Sequence, residues 1–559
     1  MRFRSIAVGT TSVLLVVSMT TNLLMLTGPL FMLQVYDRVL TSKSLPTLAV
    51  LVLLVVGLYS FYGLLDILRT RIASRLARAF DELLGERLFR LSISLRVSAA
   101  APDQVDPVRD GDIVRSFLAG PGPLALLDLP WIPVYLGILF IVHPLLGWLS
   151  TAGGLVATSL MVASEVALRR STARLASTSA RRHRMLEEAK SGAELILAMG
   201  LSAALGTRWK AVSEDLLERQ TSAGDIGTAF SSTIKATRLL LQSLVLALGA
   251  YLVISGEMTG GLMMAASVLT SRALAPVEQT VSQWKAILSA RAASRRLQKL
   301  LSVPERSRLT NLPAPRHKIS VRAATVAAPG NVRPILLRAN FELEAGDGLG
   351  ILGPSGAGKT SLAKALLGVW PVASGEIRFD GALLEHYESR LLPGLIGYLP
   401  QRIDLFDGTV AENIARLTDS LDSNAVVAAA QLADIHDLIS SLPDGYDTQV
   451  GAQGERLSAG QRQRIGLARA LYGNPFLCVL DEPNANLDAD GELALTSAIR
   501  RVRDRGGIAV VIAHRPSAIA AVDKLLFLKG SRQVAFGQKD EVLAQIRGEN
   551  VRELKAATP

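Results

Sequence analysis

Cysteine is almost absent from this 559-residue sequence, which contains Cys478 and no other. A single thiol cannot close an intramolecular disulfide, so a fold held together by disulfide bridges is excluded. Cys478 stands in the apolar run FLCVLDE, where a small buried core residue is the expected role. No redox chemistry by a thiol pair within the chain is therefore expected.

Acidic residues are also in short supply, with 49 Asp and Glu against 60 Lys and Arg, which leaves a formal net charge of +11. Such a surplus can indicate nucleic acid as a partner. Here, however, the arginines stand beside apolar runs, and that placement is typical of loops held against an anionic membrane face. We therefore expect a lipid bilayer as a partner and no nucleic acid.

Hydrophobic residues make up 49% of the chain, and they concentrate in its first half. Six apolar stretches there approach the ~20 residues that a helix needs to cross a bilayer. The first is too long for the apolar part of a signal peptide, so we expect it to remain as a span. Prolines in LPWIP predict a kink or interruption in the third. The predicted spans are Ser12–Met32, Leu45–Leu65, Leu124–Val142, Leu145–Ala167, Leu239–Ser255 and Gly260–Ala275.

Basic residues are distributed unevenly between the two sides of these spans. The loops on one side hold only Arg38 and Lys43. The N-terminus and the two long connections are rich in arginine, which predicts that they face the cytoplasm. The long connections have helical periodicity, as in RTRIASRLARAFDELLGERLFRL, so we expect them to continue the spans beyond the membrane. The alternative is that they form independent amphipathic surface helices.

The second half has the composition of an ordinary soluble domain, in which β-type runs alternate with helical stretches. That alternation predicts an α/β fold with a largely parallel sheet. A proline-rich polar segment, LSVPERSRLTNLPAPRHK, separates this domain from the apolar half. We expect a helical transmembrane domain over residues 1–300, a linker over 301–318 and the α/β domain over 319–559.

The segment GPSGAGKT matches the phosphate-binding pattern G-x-x-x-x-G-K-[ST] at every position. It follows the apolar run LGIL and precedes SLAKALLG, a predicted strand and helix. Glycines allow backbone N–H groups to approach phosphate, and a helix N-terminus favours negative charge. Lys359 is expected to reach the β- and γ-phosphates, and Thr360 to bind Mg²⁺. The predicted nucleotide-binding residues are Gly353, Pro354, Ser355, Gly356, Ala357, Gly358, Lys359, Thr360 and Ser361.

Two carboxylates end the apolar run FLCVLDEP. At the C-terminal end of a strand beside a phosphate loop, Asp481 fits the second protein partner of Mg²⁺. Glu482 fits the residue that polarises the attacking water. Together with the phosphate loop, the two carboxylates predict a P-loop NTPase.

The segment LSAGQ indicates which kind of NTPase this is. With it the chain resembles the ATP-binding cassette family, whose signature is usually written LSGGQ, over about Ile319 to Leu543. Gln401 in YLPQ corresponds to the family's glutamine that senses Mg²⁺ and the γ-phosphate. The segment Asn486-Leu487-Asp488 corresponds to the D-loop, and His514 in VIAHRP to the switch histidine. The resemblance implies further nucleotide-binding residues, namely Ser458, Ala459, Gly460, Gln461 and Asp488, and a catalytic set of Glu482, His514 and Gln401, with Thr360, Gln401 and Asp481 at the metal.

Similar cassettes close head to tail in pairs, so that the signature of one copy covers the γ-phosphate held by the other. The chain has a single cassette, so the resemblance implies a homodimer with ATP and Mg²⁺ as cofactors. The segment TVAAPGNVRPILL departs from the family, because Ala328 stands where an aromatic residue usually stacks on adenine. We expect this stacking to be weakened, or supplied by an apolar contact such as Val326.

Six spans and one cassette in one chain resemble a half-size ABC exporter. Several strings are similar to the type I secretion permease/ATPases of the metalloprotease and RTX exporter branch (PrtD-like): VYDRVLTSKSLPTL, DLPWIPVY, RALAPVEQ, DEPNANLD and AFGQKDEVL. This resemblance implies ATP hydrolysis coupled to export of an unfolded polypeptide with a C-terminal signal across the bacterial inner membrane. It implies a periplasmic membrane-fusion adaptor and an outer-membrane channel as partners.

Two other functions are compatible with parts of this pattern. An exporter of lipids or small hydrophobic molecules has the same architecture, and the few charges near the span ends, such as Asp66 and Asp128, do not separate it from a polypeptide exporter. A soluble cassette ATPase acting on DNA or ribosomes carries the same signature motifs. The paired apolar hairpins and the one-sided arginines argue against this second alternative.

Overall fold

The structure is a computed structural model, and it describes residues 2–98, 106–302, 312–331, 333–387, 392–418, 420–485, 487, 489–513 and 519–556. The chain forms two compact units that divide between Val303 and Pro304. Half of the predicted linker, residues 303–311, lies outside the described residues, so the conformation of that half stays a prediction.

In the described residues, the first unit is built from helices alone. They are α1 (Arg2–Leu24), α2 (Thr27–Gln34), α3 (Leu40–Ser42), α4 (Leu45–Ser98), α5 (Pro107–Ala119), α6 (Gly122–Asp128), α7 (Ile132–Val142), α8 (Pro144–Ser191), α9 (Ala193–Ala198), α10 (Ser202–Ile254), α11 (Gly260–Ser282) and α12 (Trp284–Leu301). Among the described residues, six segments are long and apolar enough to cross a membrane, and each overlaps one of the six predicted spans: Gly9–Ser42, Leu45–Leu95, Gly122–Val142, Pro144–Leu168, Ser202–Ile254 and Gly260–Ser282.

Three helices are much longer than a bilayer is thick. Helices α4, α8 and α10 contain 54, 48 and 53 residues. At a rise of 1.5 Å per residue each is roughly 70 to 80 Å long, whereas the hydrocarbon core of a bilayer is about 30 Å thick. The prediction that the long connections continue the spans is confirmed, and separate surface helices are excluded for these segments.

The third span is interrupted where its prolines predicted. Helix α6 ends at Asp128, a single 3-10 turn follows over Leu129–Trp131, and α7 begins at Ile132. Pro130 and Pro133 have no backbone N–H to donate, so a continuous α-helix would lose hydrogen bonds at both positions. The break places Asp128 at a helix end inside the unit.

Asp128 is the centre of a buried polar cluster that joins three spans. Its carboxylate accepts hydrogen bonds from Ser18 Oγ at 2.6 Å and Asn22 Nδ2 at 2.8 Å, both on α1. It pairs with Arg69 of α4 at 3.1 Å, and Arg69 pairs in turn with Asp66 at 3.0 Å. The side chains of Arg69 and Asp128 are only 11% and 10% exposed, so neither charge is well hydrated and each depends on the other.

Removal of one member of this pair should destabilise the first unit strongly. In Asp128→Ala the Arg69 guanidinium stays buried without its main counter-ion, and we expect a loss of about 3–5 kcal/mol in unfolding free energy. The thermal unfolding midpoint of the purified protein in detergent measures this. The double variant Arg69→Met/Asp128→Leu should recover most of the loss, because no buried charge is left without a partner; Asp66, which loses Arg69, is 44% exposed to solvent.

An exposed ion pair provides the matched control. Arg78 and Glu82 pair at 2.7 Å on α4 with 80% and 59% of their side chains exposed, so Arg78→Ala should cost less than about 1 kcal/mol. A double Arg69/Asp128 variant as unstable as Asp128→Ala would contradict the role assigned to the buried pair.

The second unit is a ten-stranded mixed sheet with helices packed against it. Its strands are β1 (Lys318–Ala327), β2 (Pro334–Glu344), β3 (Gly348–Leu352), β4 (Val372–Phe379), β5 (Ala382–Leu383), β6 (Ile396–Leu399), β7 (Leu477–Asp481), β8 (Ile508–Ile512), β9 (Lys524–Lys529) and β10 (Arg532–Gln538). The order across the sheet is β5-β4-β1-β2-β10-β9-β3-β8-β7-β6. Its helices are α13 (Lys359–Leu366), α14 (Leu392–Leu395), α15 (Val410–Ile414), α16 (Ser423–Leu432), α17 (His436–Ser440), α18 (Ala459–Leu471), α19 (Ala489–Asp504) and α20 (Lys539–Ala556).

The expectation of a largely parallel sheet is correct for only part of it. Strands β9, β3, β8, β7 and β6 pair in parallel. Strands β1, β2, β4 and β5 form an antiparallel group, and β9 pairs with β10 antiparallel. The connection from β1 to β2 is too short for the crossover that a parallel pair requires, so these strands form a hairpin.

Strands β7 and β8, which are paired on both sides, are buried at every residue, and they are the apolar runs LCVLD and IAVVI. Alternate side chains enter two different hydrophobic clusters. Cys478 and Leu480 belong to the cluster that contains residues of α16, α18 and α19, whereas Leu477 and Val479 belong to the cluster that contains α13, β1 and β2. Both faces of the sheet are therefore covered, which explains strands without polar alternation. The same burial raises the pKa of Cys478 to about 12, which confirms its role as a core residue.

Candidate nucleotide-binding site

The phosphate loop, residues 353–358, connects β3 to α13 where the sequence placed it. Gly353 and Gly358 have φ values of 149° and 99°, a region that favours glycine. A Cβ atom at Gly353 would collide with the carbonyl oxygen of Leu528, and one at Gly358 would lie 3.2 Å from the carbonyl oxygen of Ile335. Glycine at both positions is therefore required by backbone conformation and by close packing.

Lys359 is the first residue of α13, and its ammonium group lies across the loop. It donates hydrogen bonds to the carbonyl oxygens of Gly353 at 2.8 Å and Pro354 at 3.0 Å, and the residue is 7% exposed. Burial lowers the pKa of Lys359, although Glu482 and Asp481 oppose that shift. Free N–H groups of the first helical turn and a buried ammonium together make the loop suited to phosphate.

Asp481 is the last residue of β7 and is 1% exposed. Both carboxylate oxygens are buried and have no hydrogen-bond partner of standard geometry among the described residues. Burial raises its pKa, while the nearby Thr360 hydroxyl and Lys364 favour the charged form. A buried carboxylate without a full set of partners, beside a hydroxyl and a phosphate loop, has the oxygen chemistry that suits a hard divalent cation.

Glu482 follows Asp481 in a left-handed conformation, with φ of 50°. Its backbone N–H donates to the carbonyl oxygen of Ile512 at 2.9 Å, which ties the turn to the end of β8. Gln401, just beyond β6, donates from Nε2 to Oε2 of Glu482 at 3.1 Å. A non-glycine residue held at positive φ is a common mark of a functional turn, and here it directs the carboxylate toward Gln401.

The signature segment forms the start of α18. Ser458 is the N-cap, and its Oγ accepts a hydrogen bond from the backbone N–H of Gln461 at 3.2 Å. The Gln461 side chain accepts from the Ser458 N–H at 2.8 Å, which completes a capping box. Ser458 and Ala459 are exposed and Gly460 is half-buried, so the first turn of the helix faces away from the core of its own unit.

Sequence reasoning missed Gln463. This side chain is 2% exposed, and its Nε2 donates to the carbonyl oxygen of Pro483 at 2.8 Å. It therefore connects the signature helix to the turn that carries Glu482. The sequence did contain a signal for a buried polar contact, because Gln463 is a polar residue in a helix, α18, that buries apolar side chains such as Ile465 and Leu467.

The structure brings together the phosphate loop, Asp481, Glu482 and Gln401. His514 and Asp488, like Asn486 of the same D-loop segment, lie outside the described residues, so their placement stays a prediction. Ala328 follows β1 directly and is half-buried in a turn closed by the N–H of Asn331 at 2.9 Å. Val326 is fully buried in the sheet core, so the suggestion that it contacts adenine is wrong.

Replacement of Asp481 by asparagine should raise the stability of the nucleotide-free protein but lower its ATP hydrolysis. Its pKa is raised in the fold, so the stability associated with this group is lost as pH rises through that raised pKa. Without nucleotide at pH 8, Asp481→Asn should therefore unfold at a higher temperature than the parent, and the difference should shrink toward acid pH. ATP turnover should fall by at least about 100-fold, because a cation-binding carboxylate is lost.

Differential scanning fluorimetry at pH 5 and pH 8 measures the stability of Asp481→Asn. The exposed residue Asp444 provides a matched control, and Asp444→Asn should alter neither stability nor turnover. A parent protein more stable than Asp481→Asn at pH 8 would show that the buried carboxylate has partners of its own.

A bundle with six membrane spans and an α/β unit with a nucleotide site define an ATP-driven membrane transporter. Comparison with known proteins gives the same class. Residues 336–485 match the family "ABC transporter", and residues 11–277 match "ABC transporter transmembrane region". The fold is similar to the structure of a bacterial Atm1-family ABC exporter with ATP bound, with a TM-score of 0.82 at 22% identity over 100% of this chain and 99% of that one.

Two relatives specify the class further. The type I secretion system ATP-binding protein PrsD of Rhizobium meliloti (strain 1021) is 45% identical over 95% of this chain and 92% of its own length. The leukotoxin translocation ATP-binding protein LktB of Mannheimia haemolytica is 30% identical over 96% of this chain and 76% of its own length. The chain therefore belongs to the ABC transporter family, within its type I secretion ATP-binding proteins.

Membership of this family confirms the central predictions from the sequence. The chain is a multi-pass membrane protein that binds ATP and hydrolyses it to drive export of a polypeptide. The alternative of a lipid or small-molecule exporter is not favoured by the relatives. A soluble cassette ATPase is excluded by the match to the transmembrane region and by the six spans.

Proposed function

We propose that two copies of this chain form the permease and ATPase of a type I secretion system in a bacterial inner membrane. The exported substrate is an unfolded polypeptide of the protease or RTX type with a C-terminal signal. A periplasmic membrane-fusion adaptor and an outer-membrane channel continue its path. The observation that carries the proposal is the similarity to a type I secretion protein over 95% of the chain.

The site geometry supports ATP as the energy source. Residues 353–361 surround the phosphates, with Lys359 placed across the loop and glycines at the two points of closest packing. Glu482 is held at the end of the buried strand β7, where it can orient and polarise a water molecule. Gln401 holds the Glu482 carboxylate by a hydrogen bond of 3.1 Å. His514 is proposed as a further catalytic residue from the family resemblance.

The oxygens of Thr360, Gln401 and Asp481 are proposed to hold Mg²⁺. The fit rests on the buried oxygens of Asp481, which have no other partner of standard geometry among the described residues. Bound Mg²⁺ would neutralise charge on the β- and γ-phosphates. No group of three or more His, Cys, Asp or Glu lies together in the described part of the chain, as expected where phosphates supply the remaining oxygens.

The second copy completes the site. Ser458, Ala459, Gly460 and Gln461 form the start of α18, where Ser458 and Ala459 are exposed, and the N-terminus of a helix favours an anion. We infer that this anion is the γ-phosphate held by the other copy, with Asp488 in the D-loop beside it. ATP can then favour the closed dimer, in which the two ATPase units meet, only because it binds that state more tightly than the open one.

Charge distribution supports an orientation with the N-terminus and the ATPase unit in the cytoplasm. The arginine-rich stretches lie on the extensions of α4, α8 and α10, beyond the apolar windows. Basic residues favour the cytoplasmic side of a bacterial inner membrane.

Glu482→Gln should bind ATP with near-parent affinity but hydrolyse it about 100- to 10,000-fold more slowly, the range typical of a lost general base. The amide keeps the size and the hydrogen bond of the carboxylate but cannot accept a proton. Steady-state phosphate release and equilibrium binding of labelled ATP measure the two effects. Glu541→Gln, at an exposed carboxylate in the first turn of α20, is the control. Turnover at the parent rate would show that another residue activates the water.

Export is tested by comparing proteins in the culture medium of source cells with the gene intact, deleted, or carrying Glu482→Gln. One or a few proteins should vanish from the medium and accumulate inside the cells in both altered strains. An unchanged medium, with altered membrane lipids or toxin sensitivity, would move the substrate to a lipid or small molecule.

A further inference from the structure

Helix α11, the sixth span, contains an arginine, Arg272, that pairs with no carboxylate among the described residues. The structure describes every residue from Gly260 to Glu278, and Arg272 is the one exposed residue among them. It lies twelve residues after Gly260 and ten before Ser282, so it stands near the middle of a helix about 35 Å long. It also belongs to the string RALAPVEQ, whose chemistry the ATPase site does not use.

Carboxylates of the second and third spans and of α11 itself have other partners. Asp128 and Asp66 are paired with Arg69. Glu278, on the same helix as Arg272, pairs with Arg238 at 2.8 Å. Among the described residues, the polar contact of the Arg272 guanidinium is with Sδ of Met25 at 3.9 Å.

The surroundings of Arg272 place it where several spans meet. Met25, whose Sδ contacts the guanidinium, lies between α1 and α2, and α11 packs against α2, α6 and α7. Tyr135 is anchored by a hydrogen bond from its hydroxyl to the carbonyl oxygen of Asn22 at 2.9 Å. The helix that carries Arg272 therefore lies where the first, third and sixth spans meet.

A charged side chain in mid-membrane is costly unless it faces a polar interior or a water-filled pathway. Arg272 is exposed rather than buried against a counter-ion, so its partner must come from outside the described residues of this chain. Guanidinium groups bind carboxylates through paired, charge-assisted hydrogen bonds. The moving partner that a polypeptide exporter provides is the polypeptide itself.

We propose that Arg272 is a carboxylate-binding point on the path of the exported polypeptide. Acidic side chains or the terminal carboxylate of the passing chain pair with it transiently. This inference rests on the proposed function, because it requires a polypeptide to cross the first unit. It predicts that export favours polypeptides with carboxylates over neutral ones.

The test uses the full-length protein in nanodiscs of zwitterionic lipid and two fluorescent, unfolded peptides. One is rich in aspartate, and its twin has asparagine at those positions; both are made with a free and with an amidated C-terminus. By fluorescence anisotropy, the amidated aspartate peptide should bind about fivefold more tightly than its twin, as one exposed ion pair allows. A preference confined to the free C-terminus would assign the terminal carboxylate as the ligand.

Three variants test whether Arg272 causes the preference for the aspartate peptide. Arg272→Gln should reduce it to less than about twofold, whereas Arg272→Lys should keep most of it because the charge remains. Arg75→Gln removes an exposed arginine from the extension of α4 and should leave the preference unchanged. All three should keep basal ATP hydrolysis near the parent rate, because none touches the nucleotide site.

A parent protein without the preference, or an Arg272→Gln variant that retains it, would overturn the proposal. Loss of the dimer in Arg272→Gln, measured by light scattering, would instead assign Arg272 to a contact between copies. Polypeptide export itself is tested separately, by deleting the gene. If the deletion abolishes secretion but Arg272→Gln keeps the preference for the aspartate peptide, only the role of Arg272 is rejected and the proposed function stands.

Discussion

A buried carboxylate at the end of a fully buried strand is the constraint on which the ATPase unit depends. Asp481 is 1% exposed at the end of β7, a strand that is paired with β6 on one side and with β8 on the other. The buried ammonium of Lys359 partly compensates the negative charge of Asp481, and a carbonyl oxygen of the phosphate loop accepts a hydrogen bond from that ammonium. Buried charges without close partners are unfavourable, so this site gains most from a ligand that brings phosphate and a cation together.

The membrane unit must also bury polar groups, and it does so with helices and with clusters of polar side chains. Its spans are helical because a bilayer offers no partner for backbone N–H and C=O groups. Polar side chains inside it are arranged in clusters, with Asp128 satisfied by Ser18, Asn22 and Arg69. Arg272 differs from these clusters, because it has no carboxylate partner in the part of the chain that the structure describes. Helices of about fifty residues then connect the apolar part of the unit to its polar extensions without a break.

Much of this arrangement could be predicted from local patterns. Apolar length placed the six spans, helical periodicity indicated the long extensions, and the prolines of LPWIP marked the break before α7. Contacts between distant segments could not be predicted in the same way. Val326 fitted an adenine contact by its position near Ala328, yet strand pairing turns its side chain into the core. Gln463 was missed because its partner, the carbonyl oxygen of Pro483, is a backbone group that no motif marks.

The sequence by itself determined the class of chemistry, because phosphate binding requires glycines and a lysine at fixed spacing on one short loop. It also determined the membrane spans, because crossing a bilayer requires only a sufficient apolar length. Tertiary structure decided which charges are paired, how Gln401 meets Glu482, and that half of the sheet is antiparallel. Those features depend on residues far apart in the chain, and their energies arise from burial and distance, which exist only once the chain is folded.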